Sequence, residues 1–243
     1  MDWFFTEKIS NSDGTHLITG EDANHIIKAL RMSVGEIITL CDKSKTEHLC
    51  RIERISPQGV LVRVISESEC LNEPDVEVTL FAALTKGDKM ETVIQKSVEL
   101  GAVRLVPVMT DRCVSRPDIK TADKKRIRYQ KIASQAAMQS RRAVIPEVCA
   151  FTDLKTAASQ VSEYDKTILF YEGGGEPLRK LISPEDRTIA IFTGPEGGFD
   201  EREVALLTQS GSPTATLGKR ILRAETAPLV ALSAIMFHTG NLE

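Results

Sequence analysis

The sequence predicts an α/β protein in which a small β-rich domain precedes a larger domain built on a mostly parallel sheet. Short β-prone segments separated by turn residues fill roughly the first 70 positions. Nearly uninterrupted apolar runs begin at residue 76, and helical stripes separate them. Such alternation is typical of a parallel sheet that is buried on both faces.

The N-terminal region is predicted to hold three strands and one short helix. The strands are expected at 34–40, 48–55 and 59–65 and the helix at 20–32. This region is too short for a sandwich and fits a small barrel-like β domain. The polar segment 66–75 is predicted to be a linker. We therefore expect one domain over 1–72 and a second over 73–243.

The second region is predicted to alternate strands and helices. Strands are expected at 76–84, 103–109, 167–171, 188–193 and 214–217, and helices at 88–100, 121–142 and 226–239. Asp200 and Glu203 have the spacing of a capping box, which predicts a further helix ending at Gly211. Pro228 and Gly240 bracket the last helix.

Composition excludes several classes of protein. With 42% hydrophobic and 27% charged residues, the chain is neither collagen-like nor largely disordered. No apolar run reaches the ~18–20 residues of a membrane helix, and we expect no signal peptide. Five widely spaced cysteines without a CxxC motif predict reduced thiols in the cytosol and no structural zinc. Four scattered histidines likewise predict no metal site.

Positive charge is concentrated in one part of the chain. The net charge is −3, but residues 112–142 carry ten Lys and Arg against two Asp. A local basic face on an acidic protein indicates a polyanion site, although a solvated helix face would have the same composition. The candidate phosphate contacts, which would give salt-dependent affinity for a polyanion, are Arg31, Arg112, Lys124, Lys125, Arg128, Arg141 and Arg142.

Glycine-containing segments follow the predicted buried strands. The turn 194–198 reads Gly-Pro-Glu-Gly-Gly, and 173–175 is a run of three glycines. Ligands of parallel sheets bind outside the carboxyl ends of the strands, where such turns expose backbone groups to a flat ligand such as a purine nucleoside. The spacing matches neither GxGxxG nor a P-loop, and an ordinary tight turn would have the same composition.

A third segment, 217–227, places Lys219, Arg220, Arg223 and Glu225 between a buried strand and an apolar helix. Loops with this mixture of charges often carry function. The alternative is an Arg–Glu pair that caps the helix.

The motifs GPEGGF at 194–199, with Glu203, and LGKRILRAETA at 217–227 resemble the signature of the RsmE-type 16S ribosomal RNA uridine N3-methyltransferases, which belong to the SPOUT class. HIIKALRM at 25–32 is similar to the family's N-terminal segment, and Lys86, Lys89-Met90-Glu91 and Lys96 fit its first α/β unit. Trp3 departs from the family, which commonly has Arg there.

The resemblance implies a PUA-like, RNA-binding β-barrel over 1–72 and a SPOUT-type trefoil-knotted domain over 73–243. It implies S-adenosyl-L-methionine as cofactor, 16S rRNA in the small ribosomal subunit as substrate, and a homodimer. The cofactor contacts implied by analogy are Leu169, Glu172, Thr193, Gly194, Pro195, Glu196, Gly197, Gly198, Leu217, Gly218, Ile221, Leu222, Arg223, Thr226 and Ala227.

The implied reaction requires a base or a cation, because uracil N3–H must lose its proton for N3 to attack a methyl group. Arg223 is the candidate cation, and Glu225 either orients it or accepts the proton. The sequence leaves both roles of Glu225 open. The target base is expected to be splayed out of its stack.

Two other functions are alternatives to the methyltransferase interpretation. An RNA-binding assembly factor could keep the pocket without turnover, but the intact LGKRILRAETA segment argues against such a loss. A nucleotide-dependent oxidoreductase could use the glycine turn, but the chain has neither the GxGxxG spacing nor the acid that would bind a dinucleotide ribose.

Overall fold

The computed structural model describes residues 2–9 and 13–242, and it confirms the α/β class. The chain divides into two compact units. The first consists of Met1–Glu73 with Ala137–Val144, and the second of Pro74–Ala136 with Ile145–Glu243.

The first unit contains a five-stranded mixed sheet. Its elements are β1 (Asp2–Thr6), β2 (Thr15–Ile18), α1 (Gly20–Asn24), β3 (Ile37–Asp42), β4 (Thr46–Ser56) and β5 (Gly59–Glu69). The strand order is β1-β3-β4-β5-β2, in which β1 and β3 are parallel and the other pairs are antiparallel. The helix expected at 20–32 is shorter than predicted. Its α-helical part ends at Asn24, and a single π-helical turn follows over His25–Ala29.

Alternating side chains of this sheet form the core of the first unit. Phe4, Ile38, Ile52 and Val62 are buried together with Ile26 of the π-helical turn. Trp3, on the opposite side of β1 from Phe4, is only 6% exposed and packs in a second cluster with Cys41, Cys70 and Ala143. Trp3 is therefore a packing residue.

The second unit alternates strands and helices around a parallel sheet. Its elements are β6 (Glu77–Ala83), α2 (Lys89–Glu99), β7 (Arg104–Met109), α3 (Ile119–Gln139, whose last three residues belong to the first unit), β8 (Glu147–Val148), β9 (Thr152–Asp153), α4 (Leu154–Ser159), β10 (Lys166–Phe170), β11 (Glu176–Pro177), β12 (Thr188–Thr193), α5 (Glu201–Gln209), β13 (Thr214–Thr216) and α6 (Ala227–His238).

The strand order β11-β13-β10-β12-β6-β7-β8 places the three strands that precede the predicted functional loops, β13, β10 and β12, beside one another, with β6 next to β12. All of these pairings are parallel. The central strands are apolar on both faces, and the Phe81 and Phe192 rings stack with centroids 4.5 Å apart. Since parallel strands end at the same edge, the loops after β13, β10, β12 and β6 lie at one side of the sheet.

Capping residues set several boundaries of this unit. The predicted capping box is confirmed, because Asp200 and Glu203 begin α5 with both reciprocal bonds formed. The long helix α3 ends at Gln139 instead of the predicted 142, and Arg141 follows in the left-handed region with φ +57°. None of the described helices is long and apolar enough to cross a membrane.

Candidate functional site

A cavity of about 620 Å³ lies at the carboxyl edge of the parallel sheet. It is bounded by the loops that follow β10, β12 and β13 and by the start of α2. The lining residues are Lys89, Phe170, Tyr171, Glu172, Gly194, Pro195, Glu196, Gly197, Gly198, Ala215, Thr216, Leu217, Gly218, Lys219, Arg220, Ile221, Leu222, Arg223, Ala224 and Ala227. The three segments singled out in the sequence therefore meet at one site.

Two glycines of the 194–198 turn lie close to neighbouring side chains. Gly198 has φ +67°, a backbone conformation that favours glycine, and a Cβ there would also displace the carboxylate end of the Glu172 side chain. A Cβ on Gly197 would lie 3.2 Å from the Cβ of Arg112. The guanidinium of Arg112 also donates a hydrogen bond to the carbonyl oxygen of Gly197 at 3.0 Å and pairs with Asp200 at 3.3 Å. Arg112 thus holds the turn from outside the cavity.

Glu203 fixes the same turn at its far end. Its carboxylate is 6% exposed and accepts a hydrogen bond from the backbone N–H of Asp200 at 2.8 Å. Its other oxygen accepts one from the backbone N–H of Asp111 at 2.7 Å. Glu203, the second member of the capping box, therefore also links the loops after β12 and β7.

The 217–226 loop presents exposed side chains at the cavity. Gly218 has φ +102° and open space around it, and the Ile221 side chain is 86% exposed. Arg223 is exposed, while its carbonyl oxygen accepts hydrogen bonds from the N–H groups of Thr226 and Ala227 as α6 begins. The backbone of this loop is thus anchored at the helix end, and its cationic side chains remain accessible.

Sequence reasoning missed Lys89 as a site residue. Its ammonium lies 3.1 Å from Glu196 Oε1 and 3.3 Å from Glu225 Oε2, and these pairings raise the pKa of Lys89. The available signal was its position as the first residue of α2, where the helix dipole disfavours a cation.

The two carboxyl groups beside Lys89 are ionised at neutral pH. Burial would raise the pKa of Glu196, but the backbone N–H groups of Glu196 and Lys86, together with the Lys89 ammonium, hold that pKa below its ordinary value. The pKa of Glu225 is also lowered, first by its own backbone N–H and then by Lys89, against the opposing effect of burial. Both pairings weaken as the pH falls through the lowered pKa values of the carboxyl groups, and again as the pH rises through the raised pKa of Lys89.

Two family models match the chain, an RNA methyltransferase domain over residues 72–236 and an RNA methyltransferase PUA domain over residues 18–65. A protein of Bacillus subtilis named Ribosomal RNA small subunit methyltransferase E is 38% identical over 235 residues, which cover 94% of this chain and 92% of that protein. The chain belongs to the ribosomal RNA small subunit methyltransferase E family. The family resemblance and the PUA domain expected from the sequence are both confirmed.

Further relatives of the same name cover most of this chain. A Synechocystis protein of the same name is 31% identical over 230 residues, covering 92% of this chain and 73% of that protein. The crystal structure of a Ribosomal RNA small subunit methyltransferase E from Neisseria gonorrhoeae, bound to S-adenosyl methionine, is 31% identical with a TM-score of 0.88. That alignment covers 98% of this chain and 97% of the other.

Most residues that the methyltransferase E resemblance assigned to the cofactor line the cavity. They are Glu172, Gly194, Pro195, Glu196, Gly197, Gly198, Leu217, Gly218, Ile221, Leu222, Arg223 and Ala227. Leu169 and Thr193 are instead buried within β10 and β12, and Thr226 precedes α6 away from the lining. Glu225 does not line the cavity but reaches its edge through Lys89. Among the described residues, no group of three or more His, Cys, Asp or Glu could hold a metal.

The candidate phosphate contacts have different surroundings. Lys124 and Arg128 project from the exposed face of α3, where Arg128 pairs with Glu91 at 2.8 Å. Lys125 is half-buried and donates to the Ser115 hydroxyl. In the first unit, Arg31 is exposed with a left-handed backbone, φ +54°. These assignments, with those of Arg112 and Arg141, remain predictions.

The prediction that Arg142 contacts phosphate is wrong. Its side chain is 3% exposed and pairs with Glu73 at 2.5 Å, inside the first unit. The Glu73 carboxylate also accepts hydrogen bonds from the backbone N–H groups of Ala143 and Val144. Arg142 is therefore unavailable to phosphate, and its charge serves the internal packing of segment 137–144.

We expect Arg142→Ala to lower the free energy of unfolding by about 3–5 kcal/mol, because it leaves the Glu73 carboxylate buried without its cation. The neighbouring exposed variant Arg141→Ala should change it by less than about 0.5 kcal/mol. Urea unfolding followed by circular dichroism measures both values. Equal stabilities of the two variants would contradict the structural role of Arg142.

Proposed function

We propose that this chain is an S-adenosyl-L-methionine-dependent methyltransferase that methylates N3 of a uridine in small-subunit ribosomal RNA. The observation that carries the proposal is the single cavity formed by GPEGG and LGKRILRA, the two motifs of the family signature. The cofactor follows from the S-adenosyl methionine in the Neisseria gonorrhoeae relative, and the rRNA substrate follows from the names of the relatives. The choice of uridine N3 rests on the resemblance in the signature motifs.

The cavity residues fit this cofactor. A volume of about 620 Å³ is in the range of small-molecule sites, ~300–1,000 Å³. Glycines at 194, 197, 198 and 218 leave backbone N–H and C=O groups free of side-chain bulk, which suits the edge of an adenine ring. We assign the adenosine end to the 194–198 and 217–222 loops. When bound, the cofactor supplies a methyl group on a sulfonium sulfur.

In the proposed reaction, uracil N3 attacks the sulfonium methyl group, the methyl–sulfur bond breaks, and the N3 proton is released to solvent water. Negative charge develops on the uracil oxygens, and the exposed guanidinium of Arg223 lies on the cavity wall where it can stabilise that charge. Of the two roles open to Glu225, the lowered pKa favours positioning, since a carboxylate held by Lys89 is a weak proton acceptor.

The exposed face of α3 is the proposed RNA contact of the second unit. Lys120, Lys124, Arg128 and Lys131 are exposed on it at spacings of three or four residues. At about 1.5 Å of rise per residue, this stripe is roughly 16 Å long and can follow several phosphates of one strand. We place the reaction in the cytosol, where the substrate is the rRNA of the small ribosomal subunit.

We further propose a homodimer and a trefoil knot, both implied by the SPOUT resemblance. Helix α6 supports the first, because it is apolar on all sides and yet leaves Phe237 70% exposed and Val230 38% exposed. A second copy of the chain covering α6 would remove these apolar side chains from water.

The proposed function is tested by incubating the protein with small-subunit rRNA, free or in assembled subunits, and cofactor carrying a labelled methyl group. We expect label in the rRNA and, by mass mapping of nuclease fragments, a single N3-methyluridine. Omitting the protein is the control. Label at another base or atom would overturn the N3 assignment alone, while no label and no cofactor binding would overturn the whole proposal.

Replacing Arg223 should slow the chemical step. Arg223→Ala should lower the single-turnover rate by about 10²–10³, since a charge-stabilising donor is lost. Arg223→Lys should recover only part of the rate because an ammonium lacks the planar fork. Glu225→Gln should cost less and show no recovery at high pH, whereas a general base would give such recovery. A fully active Arg223→Ala would remove the proposed charge stabilisation.

Reversing charge on α3 should weaken RNA binding without affecting the cofactor. Lys120→Glu with Lys124→Glu should reduce affinity for the rRNA substrate and lower the slope of log K against log salt by about 2. The matched control is Lys155→Glu with Lys166→Glu, two exposed lysines of the same unit. Filter binding at several salt concentrations measures the slopes. Equal slopes in both double variants would reduce the α3 face to a solvated surface.

A further inference from the structure

We propose that Lys89 is a positioning residue that holds the two cofactor loops of the enzyme at a fixed separation. The inference rests on the proposed function, because it assigns the two loops to S-adenosyl-L-methionine. A single ammonium group joins Glu196, in the turn after β12, to Glu225, at the end of the loop after β13. Each loop is thereby tied to the first residue of α2.

The two ties differ in how much they depend on Lys89. Glu196 Oε1 also accepts a hydrogen bond from the backbone N–H of Lys86 at 3.1 Å. Glu225 Oε2 is buried and, within the part of the chain that the structure describes, accepts no hydrogen bond. Its compensation is the Coulomb attraction of Lys89 at 3.3 Å. The 217–226 loop is therefore the element whose position depends most on the lysine.

The arrangement combines two features that are unfavourable separately. A cation in the first turn of a helix opposes the helix dipole, and two carboxylates facing one ammonium repel each other. Together they compensate, since the two negative charges offset the dipole and the ammonium separates the carboxylates. A residue that breaks a local rule and is compensated only by tertiary contacts is typical of functional sites.

Loss of the ammonium has a directional consequence. Glu196 and Glu225 would face each other without a cation, and their repulsion would move the 217–226 loop away from the 194–198 turn. The cavity between them would widen, so a ligand that spans both loops would bind less tightly. Arg223 is two residues before Glu225, so its guanidinium would be displaced with the loop.

Calorimetric titration of S-adenosyl-L-methionine into the full chain tests whether Lys89 positions the two loops. Lys89→Met should weaken the affinity about tenfold, as expected for the loss of two partly exposed ion pairs. Lys89→Arg, which keeps the charge, should stay within about threefold of wild type. The control Lys96→Met breaks a lysine pair on the same helix, with Glu99 at 2.8 Å, and should bind as wild type does.

A second substitution separates positioning from simple structural support. Glu225→Gln added to Lys89→Met removes the repulsion and should restore part of the affinity, although Glu225→Gln alone should weaken it. This reversal of sign is not expected if Lys89 only stabilises the fold, and the melting temperatures should stay within a few degrees of one another. In turnover assays, Lys89→Met should raise the KM for the cofactor and, through the displacement of Arg223, should also lower kcat.

The outcomes distinguish a failure of the Lys89 proposal from a failure of the proposed function. The positioning role of Lys89 is overturned if wild type and Lys89→Met bind the cofactor equally well. It is also overturned if Glu225→Gln restores no cofactor affinity in the Lys89→Met background. In both cases the proposed function stands. If wild type does not bind S-adenosyl-L-methionine, the proposed function itself fails.

Discussion

The common direction of β13, β10, β12 and β6 is the constraint on which the rest of the site depends. Because these neighbouring strands are all parallel, their carboxyl ends lie at one edge of the sheet. Segments that are far apart along the chain, near residues 89, 172, 196 and 223, thereby line one cavity. The apolar composition of the central strands secures this arrangement, since both faces of the sheet are buried.

On this framework, charged side chains set the positions of the loops. Glu203 links the loops after β12 and β7, Arg112 holds the 194–198 turn from outside, and Lys89 joins that turn to the 217–226 loop. These side chains replace the regular backbone pairing that loops lack. Fixing the loops in this way preorganises a cavity before a ligand enters, which reduces the ordering cost of binding.

Burial divides the positive charges of the chain into two groups. Lys124 and Arg128 are exposed on α3, whereas Arg142 is paired inside the first unit. In the sequence, Lys124, Arg128 and Arg142 all belong to the basic segment 112–142. Burial also identifies Trp3 as a packing residue, because it lies among Cys41, Cys70 and Ala143. A charge count thus overstates a binding surface wherever one cation has a buried partner.

The α/β class, most strand positions, the capping box at Asp200 and the glycine-bearing loops are predicted correctly from the amino-acid sequence. These features depend on local periodicity and turn chemistry, which are readable from neighbouring residues. Only the folded chain shows the burial of Arg142, the exclusion of Leu169 and Thr193 from the cavity wall, and the pairing of Lys89 with Glu196 and Glu225. Each of these depends on residues that strand order brings together from distant parts of the chain, as it does for Lys89 and Glu196, which are 107 positions apart.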